Sequence, residues 1–213
     1  EARQTGEDIE VPDLGEVSDW LRKLVHFCRA SLTPHTDSEA LAKMADYYGI
    51  EVDPCVWDDV AKATAGIVEA SIQMAREQKI IDFDDMVFLP VHLRISLARY
   101  DWVCLDEAQD LSAAQRALAI SCLAPGGRML AVGDPRQSIQ GFAGADPESF
   151  QSLRVELDAI ELPLSVCYRC PTSHLDLARK IVPQIEAAPN AVRGDLNAMK
   201  LDDLLASVQE GDL

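Results

Sequence analysis

Over the first eighty residues the apolar positions recur with helical spacing. Val17, Trp20, Leu21, Leu24 and Cys28 fall at i, i+3, i+4, i+7 and i+11, which lines one face of an α-helix. Thr36 followed by Glu39 has the spacing of a capping box. Leu41, Met44, Ala45 and Tyr48 then carry a second stripe, and Gly49 supplies the stop. A longer stripe predicts a helix over Trp57–Lys79 with Val60, Ile67, Val68, Ile72 and Met74 on its buried side. Such stripes are core faces rather than cofactor contacts. Residues 1–13 carry little pattern and are expected to fray.

After Lys79 the rhythm changes. Trp102-Val103-Cys104-Leu105 is a short continuous apolar run ended by Asp106-Glu107, and Met129-Leu130-Ala131-Val132 is a second, ended by Gly133-Asp134. A third strand is expected around Ala159–Leu162. Between the first two runs, Ser112 with Gln115 caps a helix reaching about Leu123, and Pro125-Gly126-Gly127 predicts a turn. Thr172 or Ser173 opens a helix to about Ala187, and a short helix is expected at Leu201–Val208. Continuous apolar strands separated by helices are the pattern of a parallel sheet with helices on both faces. The chain is therefore read as α/β with a helical N-terminal part, divided at 1–80, 81–158 and 159–213.

Charge narrows the function classes. The 213 residues hold 19 Lys and Arg against 36 Asp and Glu, a net charge of −17, spread over both the helical and the α/β parts. That excludes the broad basic footprint of a simple nucleic-acid-binding domain; any such contact must use a local groove or basic parts outside this chain. No run approaches the ~18 apolar residues of a membrane helix. Six cysteines (Cys28, Cys55, Cys104, Cys122, Cys167 and Cys170) are too few for a disulfide scaffold at this length. The one CxxC, Cys167 to Cys170, lacks the second pair a zinc site needs, so a reducing, cytoplasmic setting is expected.

The chemistry-bearing residues sit where the two strands end, at Asp106-Glu107-Ala108-Gln109-Asp110 and Gly133-Asp134-Pro135-Arg136-Gln137. In open parallel sheets, ligands bind beyond the carboxyl ends of the strands. Adjacent carboxylates there call for a counter-charge, most simply a divalent cation. Mg²⁺ takes one or two carboxylates and completes its shell with water and phosphate oxygens, which leaves a second acid to orient an attacking water. Asp110 stands just before the Ser112 cap and reads equally as a structural acid.

Four segments in this order resemble the UvrD/Rep-type superfamily 1 DNA helicases. They are Asp82-Phe83-Asp84-Asp85-Met86; Leu105-Asp106-Glu107-Ala108-Gln109-Asp110; Val132 to Ile139 continuing to Gly144-Ala145-Asp146; and Tyr168-Arg169. The resemblance is good over about residues 80–190 and extends over the helical first 80. It implies a RecA-like parallel sheet of the P-loop NTPase type. Residues 1–80 would be a helical subdomain inserted in the first motor domain, 81–158 part of that domain, and 159–213 the start of the second. By the same resemblance Asp106 holds Mg²⁺, Glu107 polarises the hydrolytic water, and Gln137 contacts the γ-phosphate of ATP. Arg169 reaches that phosphate from the second motor domain, a task suited to a bidentate guanidinium. Phe142 falls where the family stacks an aromatic on a base of single-stranded DNA.

Other readings stay open at several positions. Gln137 also fits a loop-capping amide, Arg169 a surface ion pair, Phe142 a core anchor and Asp82 a helix cap. The sequence departs from the family pattern at Gln140, where a second aromatic is usual, and at Ala143, where a basic residue is usual. Cys167 and Cys170 stand where Asn and Ser are usual. No GxxxxGK[ST] phosphate loop is present, and none of the eleven glycines precedes a lysine. The expectation is an interior piece of a helicase, partnered by the remainder of the motor and by single-stranded or duplex DNA, and poorly active alone. Two alternatives compete: a non-catalytic helicase-like binding or regulatory module, and a stand-alone Mg²⁺-dependent nuclease or phosphohydrolase built on Asp106, Glu107 and Asp134.

Overall fold

A computed structural model describes residues 13–138, 144–146 and 148–196. The expected helix at Leu201–Val208 lies outside these residues. The chain divides into two compact units, Glu1–Ala159 and Ile160–Leu213.

In the first unit, four helices build the core: α1 (Leu14–Ser31), α2 (Ser38–Tyr47), α3 (Trp57–Gln78) and α4 (Phe83–His92). Helix α1 starts at a capping box in which the Asp13 carboxylate accepts from Glu16 N–H and the Glu16 carboxylate from Asp13 N–H. It buries Leu24, Val25, Phe27 and Cys28 against Leu41, Met44 and Ala45 of α2 and Val60, Val68 and Ile72 of α3. Trp20 and Leu21 pack half-buried against that core. The cap of α2 is Asp37, whose carboxylate accepts from Ala40 N–H at 3.0 Å, rather than the expected Thr36. Both residues can cap, but the charged acceptor one place later gains from the helix dipole. Gly49, at φ +64°, ends the element as expected.

Helix α3 corrects the expected buried face. Val60, Ala61, Thr64, Val68 and Ile72 are buried, whereas Ile67 and Met74 are 42% and 39% exposed. Val60, Thr64, Val68 and Ile72 form the i, i+4 row that meets the neighbouring helices, and Ile67 and Met74 fall off that row. The Thr64 hydroxyl, fully buried, donates to Val60 C=O at 2.8 Å. Among the described residues, no helix is long and apolar enough to cross a membrane.

The DFDDM segment joins α4 to α1. Asp82 caps α4 in a reciprocal box with Asp85, so its capping role is realised. Arg29 of α1, 4% exposed, donates to the Asp82 carboxylate at 2.8 Å and lies 3.7 Å from Asp85, itself 3% exposed.

The α/β part of this unit consists of β1 (Tyr100–Leu105), α5 (Ala113–Ser121), β2 (Leu123–Ala131) and α6 (Ser149–Glu156). Strands β1 and β2 are parallel, with Trp102 opposite Arg128 and Leu105 opposite Ala131. The second strand begins earlier than expected, and Pro125-Gly126-Gly127 forms an irregularity inside it: Tyr100 pairs with Leu123, but Trp102 already pairs with Arg128. The turn chemistry acts as a local bulge without ending the strand. Ser112 and Gln115 cap α5 reciprocally, as expected. Helix α6 had no clear stripe in the sequence. It is seated by Leu153, and the stretch before it is tied down by Asp146, which pairs with Arg116 of α5 at 2.8 Å. Parallel pairing and an α/β architecture are thus present. Among the described residues this sheet has two strands, and Trp102 and Leu130 remain more than half exposed.

In the second unit, β3 (Val166–Cys167) runs parallel to β4 (Glu186–Ala187), with α7 (Thr172–Ala178) between them. Two expectations are corrected. Residues 159–162 are not a strand; the ladder begins at Val166, beyond Pro163, which has no N–H to donate. Helix α7 ends at Ala178 instead of Ala187, because Pro183 cannot continue it and Glu186 pairs with Ser165 as strand.

Candidate active site

Parallel pairing of β1 and β2 places their carboxyl ends side by side, and the backbone keeps the loops beyond them together. Val132 N–H donates to Leu105 C=O at 2.8 Å, and Ala108 N–H to Val132 C=O at 2.9 Å. The Asp106 and Asp134 loops therefore leave the sheet as neighbours.

The first loop turns sharply. Asp106 accepts from Glu107 N–H at 3.1 Å, and Glu107 adopts left-handed backbone angles, φ 49° and ψ 44°. Such a conformation is uncommon for a residue with a side chain and is held only where the surroundings over-determine it. It lifts both carboxylates to the surface, while Ala108 and Gln109 turn inward as a short 3₁₀ turn, Ala108–Asp110. In the second loop, Asp134 caps a 3₁₀ turn over Pro135–Gln137. One carboxylate oxygen accepts from Arg136 N–H at 3.0 Å, and the other from the Gln137 side-chain amide at 2.8 Å.

One buried side chain links the loops. Gln109, 2% exposed, donates from Nε2 to the Glu107 carboxylate at 2.8 Å and to the Asp110 carboxylate at 3.4 Å. Its Oε1 accepts from Asp134 N–H at 3.0 Å. Glu107 and Gln137 are thus joined through Gln109 and Asp134. The sequence showed Gln109 inside a motif without assigning it work; the glycine immediately before Asp134 was the signal that a side chain passes close by.

The structure therefore brings Asp106, Glu107 and Gln137 to one lip. Phe142, with Gln140 and Ala143, lies outside the described residues. Arg169 belongs to the second unit, exposed in the bend between β3 and α7, with no ion pair among the described residues. Backbone N–H groups of Cys170 and then Arg169 hold the Cys167 thiol below its usual range. Gly144, at φ +84°, packs where a Cβ would stand 2.8 Å from that of Ala30, which seats the end of the Asp134 motif on α1.

The donor set at the lip is hard oxygen, which suits Mg²⁺ bound by one carboxylate together with phosphate oxygens. Among the described residues no three His, Cys, Asp or Glu side chains converge into a metal cage. A two-metal nuclease needs carboxylates from several elements, and Asp134 spends both oxygens inside its own loop.

Residues 37–158, more than half of the chain, match the family described as the UvrD/REP helicase N-terminal domain, and the chain belongs to that family. The chain is 29% identical over 140 residues to a subunit of the ATP-dependent helicase/nuclease of Leuconostoc mesenteroides, covering 60% of this chain and 11% of that protein. It is 51% identical over 55 residues, 25% of this chain and 4% of the relative, to the helicase/nuclease protein of the same name in Lacticaseibacillus casei. To the ATP-dependent DNA helicase UvrD1 of Mycobacterium tuberculosis it is 26% identical over 141 residues, 59% of this chain and 18% of the relative. The chain spans less than a fifth of the length of these relatives.

Proposed function

We propose that this chain supplies the Mg²⁺ and water-activating side of an ATP-driven DNA helicase motor and works with a phosphate-binding loop that it does not itself carry. The observation that supports this most is the adjacency of Asp106, Glu107 and Gln137 at the carboxyl ends of two neighbouring parallel strands, with Glu107 and Gln137 joined through Gln109 and Asp134.

In this reading Asp106 holds the ion through a surface carboxylate. Mg²⁺ held there would supply charge neutralisation at the phosphate oxygens. Glu107, held upright by its left-handed backbone, orients the attacking water and takes its proton. Gln137 spends one amide hydrogen on Asp134 and keeps the other for a γ-phosphate oxygen. Arg169, by resemblance, adds a guanidinium from a second RecA-like domain, and Phe142 stacks on a base of single-stranded DNA. A net charge of −17 makes the DNA affinity of the isolated chain weak, because phosphate neutralisation supplies most non-specific binding. Six free thiols fit a reducing, cytoplasmic setting.

The test uses the full-length protein with DNA and MgATP. Glu107→Gln is expected to lower turnover by about a hundredfold or more while nucleotide binding persists. Undiminished turnover in that variant would reject the assignment of Glu107, whereas absence of turnover in the unsubstituted protein would favour a non-catalytic binding module.

A further inference from the structure

The Gln109 carboxamide is buried and used at both ends, and its two ends serve different loops. On its own loop the Nε2 hydrogens go to Glu107 at 2.8 Å and Asp110 at 3.4 Å. Across to the other loop, Oε1 takes Asp134 N–H at 3.0 Å, and the Gln109 backbone carbonyl accepts from Ser138 Oγ at 3.3 Å. A carboxamide is well suited to this position, because at this length it offers a donor to a carboxylate and an acceptor to an N–H without adding charge.

Two further observations show that the place is built for it. A Cβ on Gly133 would stand 2.3 Å from Gln109 Oε1, so only glycine there leaves room for the carboxamide. Glu107 holds its left-handed backbone next to this contact, and its carboxylate is the one Gln109 grips.

We propose that Gln109 is the positioning residue of the site. It fixes the direction of the Glu107 carboxylate and, through Asp134, ties that direction to the position of Gln137. Occupation of the phosphate side at Gln137 is then felt at Glu107 through three hydrogen bonds, Gln137 to Asp134, Asp134 to Gln109 and Gln109 to Glu107. This rests on the reading of Glu107 as the water-polarising acid.

The experiment compares Gln109→Ala, Gln109→Glu, Gly133→Ala and Glu107→Gln in the full-length protein, measuring kcat for ATP, nucleotide affinity and the pH profile. Gln109→Ala is expected to lower kcat about 10- to 100-fold, as loss of an orienting partner typically does, with nucleotide affinity unchanged. Gly133→Ala is expected to lower kcat in the same way by displacing Oε1, without altering any charge. Gln109→Glu gives the reading that packing alone would not. At alkaline pH the two carboxylates repel, and kcat is low. As pH falls, the protonated carboxyl donates to Glu107 and accepts from Asp134 N–H as the amide did, so kcat recovers. The wild type shows no such recovery. Retained kcat in Gln109→Ala and Gly133→Ala, or a pH-independent loss in Gln109→Glu, would overturn the positioning role while leaving the site assignment standing. Full turnover in Glu107→Gln would instead fell the site assignment, and the positioning role with it.

Discussion

Replacing Arg29 with Met tests what the DFDDM segment does. Arg29 is 4% exposed and lies between the carboxylates of Asp82, 57% exposed, and Asp85, 3% exposed. Methionine keeps the apolar stem and removes the charge. The exposed Asp82 contact accounts for a small part of the loss, at most about 1 kcal/mol. The larger part comes from Asp85, whose Oδ1 already lacks a hydrogen-bond partner and would be left as an uncompensated buried charge. Breaking such a pair costs about 3–5 kcal/mol. With a urea slope of about 2 kcal/mol per molar, the unfolding midpoint should fall by about 2 M. Tryptophan fluorescence reports it, since Trp20 and Trp57 both pack against the helical core. Adding Asp85→Leu should restore much of the loss, because an apolar pair avoids both desolvation penalties. A single Arg29→Met variant that loses less than about 1 kcal/mol would refute the argument.

Two further outcomes follow from titration. Desolvation pushes the Asp82 carboxyl upward, but the N–H of Asp85, the Arg29 guanidinium and the N–H of Asp84 together outweigh it and hold it below its ordinary 3.8. Its contribution to stability is therefore complete above that value and is lost as pH falls through the lowered one; the stability gap between wild type and Asp82→Asn, followed by denaturation against pH, should close at the acid end. Burial pushes the Cys28 thiol up to about 11, whereas Cys167 is held low by the N–H groups of Cys170 and Arg169. Alkylation near neutral pH, read by mass spectrometry, should modify Cys167 ahead of Cys170 and leave Cys28 untouched until unfolding. Equal labelling of Cys28 and Cys167 in the folded chain would contradict the packing described.

Much of this was legible in the sequence, for identifiable reasons. Long helices announce themselves by period, so α1 and α3 were found from Leu24, Cys28, Val60 and Val68. The strand ends were marked by acids just after the apolar runs, Asp106 after Leu105 and Asp134 one glycine after Val132. Short-range competition was harder to read. Thr36 and Asp37 both cap well, and only the fold shows that Asp37 does. Pro125-Gly126-Gly127 has turn chemistry, yet cross-strand pairing carries the strand through it. Pro163 and Pro183 shifted the elements of the second unit, whose strands of two residues are too short to carry a period. Least legible was Gln109, because what it does depends on which loop folding brings beside it.

On the proposed reading, the acid ending β1 grips the magnesium of a bound nucleotide. The most direct measurement is the Mg²⁺ dependence of ATP-analogue affinity in the full-length protein, compared between wild type and Asp106→Asn. Magnesium should tighten binding to the wild type, and Asp106→Asn should lose most of that gain while its magnesium-free affinity stays the same. An undiminished magnesium effect in Asp106→Asn would contradict the account.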